Sequence, residues 1–287
     1  MNKIGTSTHV KSTIKSEEFH IKKKFGQNFL VDQNILSKIV SIPSLTKETL
    51  VIEIGPGMGS LTEHLMAKSK FVLAYEIDTD LIPILNNAFE GMNLLVKNKD
   101  FLKTNIDKDI EELNVTYDKV VVVANLPYYI TTPIIMKIIE ESSKVKEMVL
   151  MMQLEVARRF TSKPSTKDYN SLSIAIQYKT NANIAMKVPR SVFIPAPNVD
   201  SAIVKLVVKD ELEVFPENEE LFYKVVRGAF TQRRKTLINN LLSSLNIPKT
   251  FAIEMLEELG YNPQTRAESL SVNDFIRISD YLNHKEA

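Results

Sequence analysis

Apolar and polar positions follow two rhythms along this chain. Runs that are apolar almost throughout, TLVIEIG (49–55), KFVLAYEID (70–78) and DKVVVVANL (118–126), predict strands buried on both faces. MNLLVKNKD, KEMVLMMQ (146–153), SLSIAIQYKT (171–180) and SAIVKLVVKD (201–210) are read as further strands. Between them, apolar residues recur every three or four positions: from Asn34 to Ile42, in SLTEHLMAKS after Gly59, in LIPILNNAF, in PIIMKIIEES and in LEVARRFTS. That spacing predicts helices. Thr132 is expected to cap the PIIMKIIEES helix, with Pro133 at its first position. Strands alternating with helices predict an α/β fold, a doubly wound, largely parallel sheet with helices on both faces.

The rhythm changes near residue 210. DELEVFPENEE is acidic and broken by proline, as a linker would be, and only helical patterns follow: ELFYKVVRGAFTQRRKTLINNLLSSL, TFAIEMLEELG and VNDFIRISDYL. Gly260 suits the end of the second, and Ser271 with Asp274 suits a capping box at the start of the third. The expected organisation is a flexible, polar tail over 1–20, an α/β domain over 21–209 and a small α-helical domain over 210–287.

Composition removes several classes of function. Cysteine is absent and the four histidines have no ligand spacing, so neither disulfides nor a metal site is expected. No stretch approaches the roughly 20 apolar residues of a membrane helix, and the N-terminus has no signal-peptide run, so a cytoplasmic protein is expected. The net charge of +1 argues nothing about nucleic acid by itself. Two basic runs do bear on it: Lys22-Lys23-Lys24, and Arg233-Arg234-Lys235, expected on the first C-terminal helix.

The chemistry gathers where strands end. The first buried strand runs into Gly55-Pro56-Gly57-Met58-Gly59 and then a helix. Glycines allow a tight turn and close approach to a ligand, and the helix start offers free N–H groups. Glu76 ends the next strand, where a carboxylate accepts from ribose hydroxyls. Asp100 ends the third, placed to accept from an adenine amino group. A dinucleotide fingerprint needs glycine at position 60, which is Ser60, and this argues against a nicotinamide enzyme. Asn125-Leu126-Pro127-Tyr128 ends the most β-branched strand. An exocyclic amine on a nucleobase is a poor nucleophile until two acceptors hold its hydrogens. The Asn125 side-chain carbonyl and the Leu126 backbone carbonyl are the candidates. Pro127 stiffens the turn and Tyr128 offers a ring for stacking, while Tyr129 and Ile130 are expected to be packing residues.

Glu53 to Gly59 resembles the first motif of S-adenosylmethionine-dependent methyltransferases, and Asn-Leu-Pro-Tyr resembles the motif of adenine-N6 methyltransferases. KKKFGQNFLVD, MMQLEVARRF, SLSIAIQY, VFIPAPNVDSAIVKL, AFTQRRKTLINNL and RAESLS each resemble the small-subunit branch of the rRNA adenine dimethyltransferases, in order, from Lys22 to the C-terminus. This resemblance implies a Rossmann-like S-adenosylmethionine-dependent sheet with a C-terminal helical domain. It implies dimethylation at N6 of two adjacent adenosines near the 3′ end of 16S-type rRNA, in an immature small subunit. It implies cofactor contacts at Asn28, Leu30, Gly55, Gly57, Glu76, Asp100 and Asn125, and places Phe193 across the target base from Tyr128. Lys22, Lys23, Lys24, Arg233, Arg234 and Lys235 then become expected phosphate contacts. A monomer is expected. A 23S-type adenine methyltransferase of the macrolide-resistance kind and a non-catalytic ribosome assembly factor on the same fold stay open as alternatives.

Overall fold

The structure, a computed structural model, describes residues 22, 26–209 and 214–286. The expected tail, Lys23, Lys24 and the start of the expected linker lie outside these residues. In chain order the first elements are β1 (Phe29–Leu30), α1 (Gln33–Ser41), β2 (Thr49–Ile54), α2 (Ser60–Lys68), β3 (Phe71–Glu76), α3 (Leu81–Ala88), β4 (Leu94–Asn98), α4 (Ile106–Glu111), β5 (Lys119–Asn125), α5 (Thr131–Glu141) and β6 (Val145–Gln153). Then follow α6 (Leu154–Thr161), α7 (Ser171–Lys179), β7 (Thr180–Val188), β8 (Phe193–Ile194), β9 (Ser201–Val208), α8 (Glu219–Ala229), α9 (Leu237–Leu245), α10 (Lys249–Glu258) and α11 (Val272–Glu286).

Seven strands form one sheet in the order β4-β3-β2-β5-β6-β9-β7, and β1 pairs with β8 in a separate antiparallel ladder. The pairs from β4 to β6 are parallel, and β9 runs antiparallel to β6. Parallel strands with both faces covered must be apolar throughout. Accordingly every residue of β2 is buried, and so are Val120 to Ala124 of β5. The order reverses between β2 and β5. The carboxyl ends of the strands at that reversal leave a crevice where ligands sit in such sheets.

The chain divides into two compact units. One comprises the residues up to Ala157 together with Asn183–Val208, and holds most of the sheet. The other comprises Arg158–Ala182 and the chain from Lys209 onward. It is therefore larger than the helical domain expected over 210–287. Its core gathers Tyr169, Ile174 and Tyr178 with Leu221, Phe222, Val225 and Phe275. Residues 171–179 are a helix, not the expected strand. Asn170 accepts from the Leu172 N–H while the Ser173 hydroxyl accepts from the Asn170 N–H, a reciprocal cap. Ile174, Ile176 and Tyr178 are all buried, so their alternation reflects burial on several sides rather than a pleat.

Two other expectations change. The helix at 131–141 begins at Thr131, not Pro133. The Thr131 hydroxyl donates to the Pro127 carbonyl, so Thr131 and not Thr132 ties the helix start to the preceding turn. The expected long helix over 220–245 breaks at Phe230, and Arg233, Arg234 and Lys235 lie in the turn before α9. Thr236 caps α9, and the buried Asn240 holds the turn: its Nδ2 donates to the Ala229 and Gln232 carbonyls and its Oδ1 accepts from the Gln232 N–H. Gly260 with positive φ follows α10, and the Ser271–Asp274 cap at α11 forms as expected.

Candidate active site

The crevice at the sheet reversal is a cavity of about 260 Å³. Its wall includes Asn28, Leu30, Gly55, Gly57, Glu76, Asp100 and Asn125, so the seven expected cofactor positions meet at one place. Leu126, Pro127 and Tyr128 line it too. Glu53, Ile77, Leu102 and Tyr129, none of them an expected binding residue, are also part of it. Among the described residues, no group of three or more His, Cys, Asp or Glu is arranged to hold a metal ion.

Strand ends set this geometry. β2 delivers the glycine turn at its last hydrogen-bonded residue, where the Gly55 N–H donates to the Tyr75 carbonyl. A Cβ at Gly55 would meet nothing within 4 Å, so the space beside it is cavity. Gly59 is constrained instead: its φ is +84° and a Cβ there would fall 2.5 Å from the Phe89 ring. Only glycine lets α2 start at this depth. β3 delivers Glu76, whose Oε2 accepts from the Gly57 N–H at 3.2 Å and Oε1 from the Asp78 N–H at 2.8 Å. Burial pushes the Glu76 carboxyl up, and these N–H donors pull against it. A carboxylate has about four lone-pair sites, so capacity is left for two vicinal hydroxyls. Asp100 does two jobs: its Oδ1 caps the turn 101–103 through the Leu102 N–H, while the residue lines the cavity.

Asn125 is oriented by chemistry rather than by choice. Its side chain contacts the Asn28 backbone carbonyl at 3.1 Å, and a carbonyl only accepts. The amide nitrogen must therefore be the end that faces Asn28, which leaves Oδ1 as an acceptor. The Pro127 carbonyl accepts from the Ile130 N–H and the Thr131 hydroxyl, locking the turn. Tyr128 is tethered through its hydroxyl to Ser201 Oγ at 2.8 Å.

Glu53 ends buried and 1% exposed, with no hydrogen-bond partner at Oε2 among the described residues. Burial pushes its carboxyl up to about 8, the Glu76 charge adds to this, and the Thr62 hydroxyl opposes it. A raised carboxyl favours the neutral form in the folded state. The stability linked to it is fully present below about 4.5, falls as pH rises, and levels off above about 8. Glu53→Gln is expected to flatten that fall in thermal unfolding of the ligand-free protein. Parallel pH profiles for the two proteins would reject this.

Three site expectations change. Phe193 is not on the cavity wall. It is 3% exposed, paired with Leu30 across the β1–β8 ladder and packed in a core cluster with Val188, Met151 and Ile203. Its strand position turns the ring inward. Lys22 forms ion pairs with Asp78 at 2.5 Å and Asp80 at 2.6 Å, because the buried Asp78 carboxylate demands a cation. Tyr129 is not a packing residue: it is 61% exposed.

The ribosomal RNA adenine dimethylase family profile matches residues 18–284. The chain belongs to that family. It is 48% identical over 289 residues to ribosomal RNA small subunit methyltransferase A of Bacillus pumilus, covering 98% of each. It is 46% identical to the protein of that name from a Geobacillus species, covering 99% of each. Among solved structures it resembles a dimethyladenosine transferase from Plasmodium falciparum, with 30% identity and a TM-score of 0.75, covering 89% of this chain and 97% of that one. It also resembles the 23S rRNA methyltransferase ErmE, with 26% identity and a TM-score of 0.67, covering 89% of this chain and 100% of the other. As a member of this rRNA adenine dimethylase family, the chain is an S-adenosylmethionine-dependent methyltransferase with a Rossmann-like sheet. The wall fits that cofactor: an open cradle at Gly55, a carboxylate at Glu76 and an acceptor at Asp100.

Proposed function

We propose that this protein dimethylates N6 of two adjacent adenosines near the 3′ end of 16S rRNA, acting as a cytoplasmic monomer on an immature small subunit. The observation that carries the reading is the Asn125 amide, fixed by Asn28 so that its oxygen remains the acceptor at the cavity wall. When bound, S-adenosylmethionine supplies an electrophilic methyl on a sulfonium. In the first transfer the Asn125 Oδ1 and the Leu126 carbonyl accept hydrogen bonds from the two amine hydrogens and favour a pyramidal nitrogen whose lone pair faces the cofactor side; in the second, the one remaining hydrogen bonds to one of them. Pro127 holds these acceptors in one geometry, which in-line transfer requires. Tyr128 stacks on the extruded base, its ring angle set by Ser201. The methylated amine is acidic enough to lose its proton to water, so no side-chain base is required.

Gly55, Gly57, Glu76 and Asp100 hold the cofactor, with Asn28 and Leu30 closing the wall. Lys23, Lys24, Arg234 and Lys235 are proposed to meet phosphates, which fix register without reading sequence. Arg233 adds charge to the same turn while donating to the Lys167 carbonyl. The identity to small-subunit enzymes, higher than to ErmE, favours this reading over a 23S substrate. Mass spectrometry of rRNA from unmethylated small subunits, incubated with protein and labelled cofactor, should show dimethyladenosine. Its absence with folded protein would overturn the proposal, and label in 23S rRNA instead would favour the alternative.

A further inference from the structure

Tyr129 stands one residue beyond the motif that holds the target base, and nothing above gives it a role. A single exposed aromatic is ordinary on a protein surface. This one differs in its setting. It lines the active-site cavity while 61% exposed, so it occupies the mouth rather than the interior. It sits in the 3₁₀ turn Tyr128–Ile130, closed by the Ile130 N–H and the Thr131 hydroxyl on the Pro127 carbonyl. Its ring is backed by Gly26, where an added Cβ would lie 3.5 Å from Tyr129 Cε1 and 3.6 Å from the Pro127 Cβ. The backbone turn thus presents an open aromatic surface at the mouth, beside Gly26. Phe193, being in the core, does not supply one.

Extruding a base from its stack leaves the flanking base with a bare π-face, and covering that face offsets part of the extrusion. We propose that Tyr129 is a second stacking platform, taking the nucleobase that flanks the target while Tyr128 takes the target itself. This rests on the reading of the protein as an RNA adenine methyltransferase. The ring acts on any base, since every base has a π-face, so it strengthens RNA binding without reading sequence. It acts on RNA and not on the cofactor, whose proposed holders Gly55, Glu76 and Asp100 are all less exposed than Tyr129.

Steady-state methylation of unmethylated small subunits, with cofactor affinity measured in parallel, tests this with the full chain. Tyr129→Ala should raise KM for the subunit roughly 5- to 100-fold, with the cofactor Kd moving less than about 2-fold. Tyr129→Phe and Tyr129→Trp, which keep a ring, should hold KM near the wild-type value. An unchanged KM for Tyr129→Ala would overturn the proposal. So would an equal loss of cofactor affinity, which would make the ring a cofactor cover. A wild-type protein that methylates no RNA would overturn the functional reading itself, a result distinct from an active wild type insensitive to Tyr129.

Discussion

Asn125→Ala is expected to lose at least about 100-fold in methyl transfer, with the fold intact and cofactor affinity reduced far less. Removing one preorganised hydrogen-bond partner of a reacting group commonly lowers turnover by about 100- to 1,000-fold. Asn125 has a second role that allows a sharper comparison. Its Nδ2 anchors the Asn28 carbonyl, and the chain there lines the cavity. Asn125→Asp keeps an acceptor but loses the donor to Asn28 and adds a charge. Its cofactor affinity should fall more than that of the alanine variant, because a carboxylate facing the Asn28 carbonyl repels it. Single-turnover rates with saturating cofactor separate the two effects. A fully active Asn125→Ala protein would remove the residue from the mechanism.

The largest stability effect is expected at Asn240. This side chain is 2% exposed and serves three backbone groups: the Ala229 and Gln232 carbonyls and the Gln232 N–H. Asn240→Ala leaves those groups without their partner and a small void behind. Each such loss in a buried setting costs about 1–3 kcal/mol, partly recovered where water reaches the turn, so a net loss of about 2–4 kcal/mol is expected. Denaturant unfolding monitors it. A change below about 0.5 kcal/mol would show that the turn keeps its shape without the amide. Because the same turn carries Arg233, Arg234 and Lys235, the variant should also bind small subunits more weakly at temperatures where it is still folded.

Sequence reasoning reached part of the cavity wall because strand ends gather there. Gly55, Glu76 and Asn125 are each marked by a buried apolar run that stops at a polar residue or a glycine, whereas Asp100 stands two residues beyond the partly exposed β4, and the sheet brings these ends together. Residues whose role depends on side-chain direction were harder to read. Phe193 looks like a loop aromatic between prolines, yet pairing with Leu30 turns it inward. Tyr129 follows an identical residue, and nothing local separates the tethered ring from the exposed one. Only Ser201, distant in sequence, does so by bonding Tyr128. Glu53 is visible as the first member of a motif, but its burial with no hydrogen-bond partner at Oε2 among the described residues is a property of the fold. For α7 the deciding signal is local: Asn170 and Ser173 form a capping box that outweighs the period-two alternation of Leu172, Ile174, Ile176 and Tyr178.

The strands β6 and β9 are neighbours, yet the chain between them spends Arg158–Ala182 in the other unit before returning. Synthesis runs in one direction, and N-terminal parts fold first as they emerge. When Val208 leaves the ribosome, every strand of the seven-stranded sheet has been made. The helix over 171–179 has also emerged, but Leu221, Phe222 and Phe275, which share a core with its Ile174 and Tyr178, have not. For that interval a nascent chain carries a finished sheet and an orphaned apolar helix. A stop codon after Val208 would make the interval permanent, so a truncated sheet domain should need a chaperone to stay in solution even though its own strands are complete.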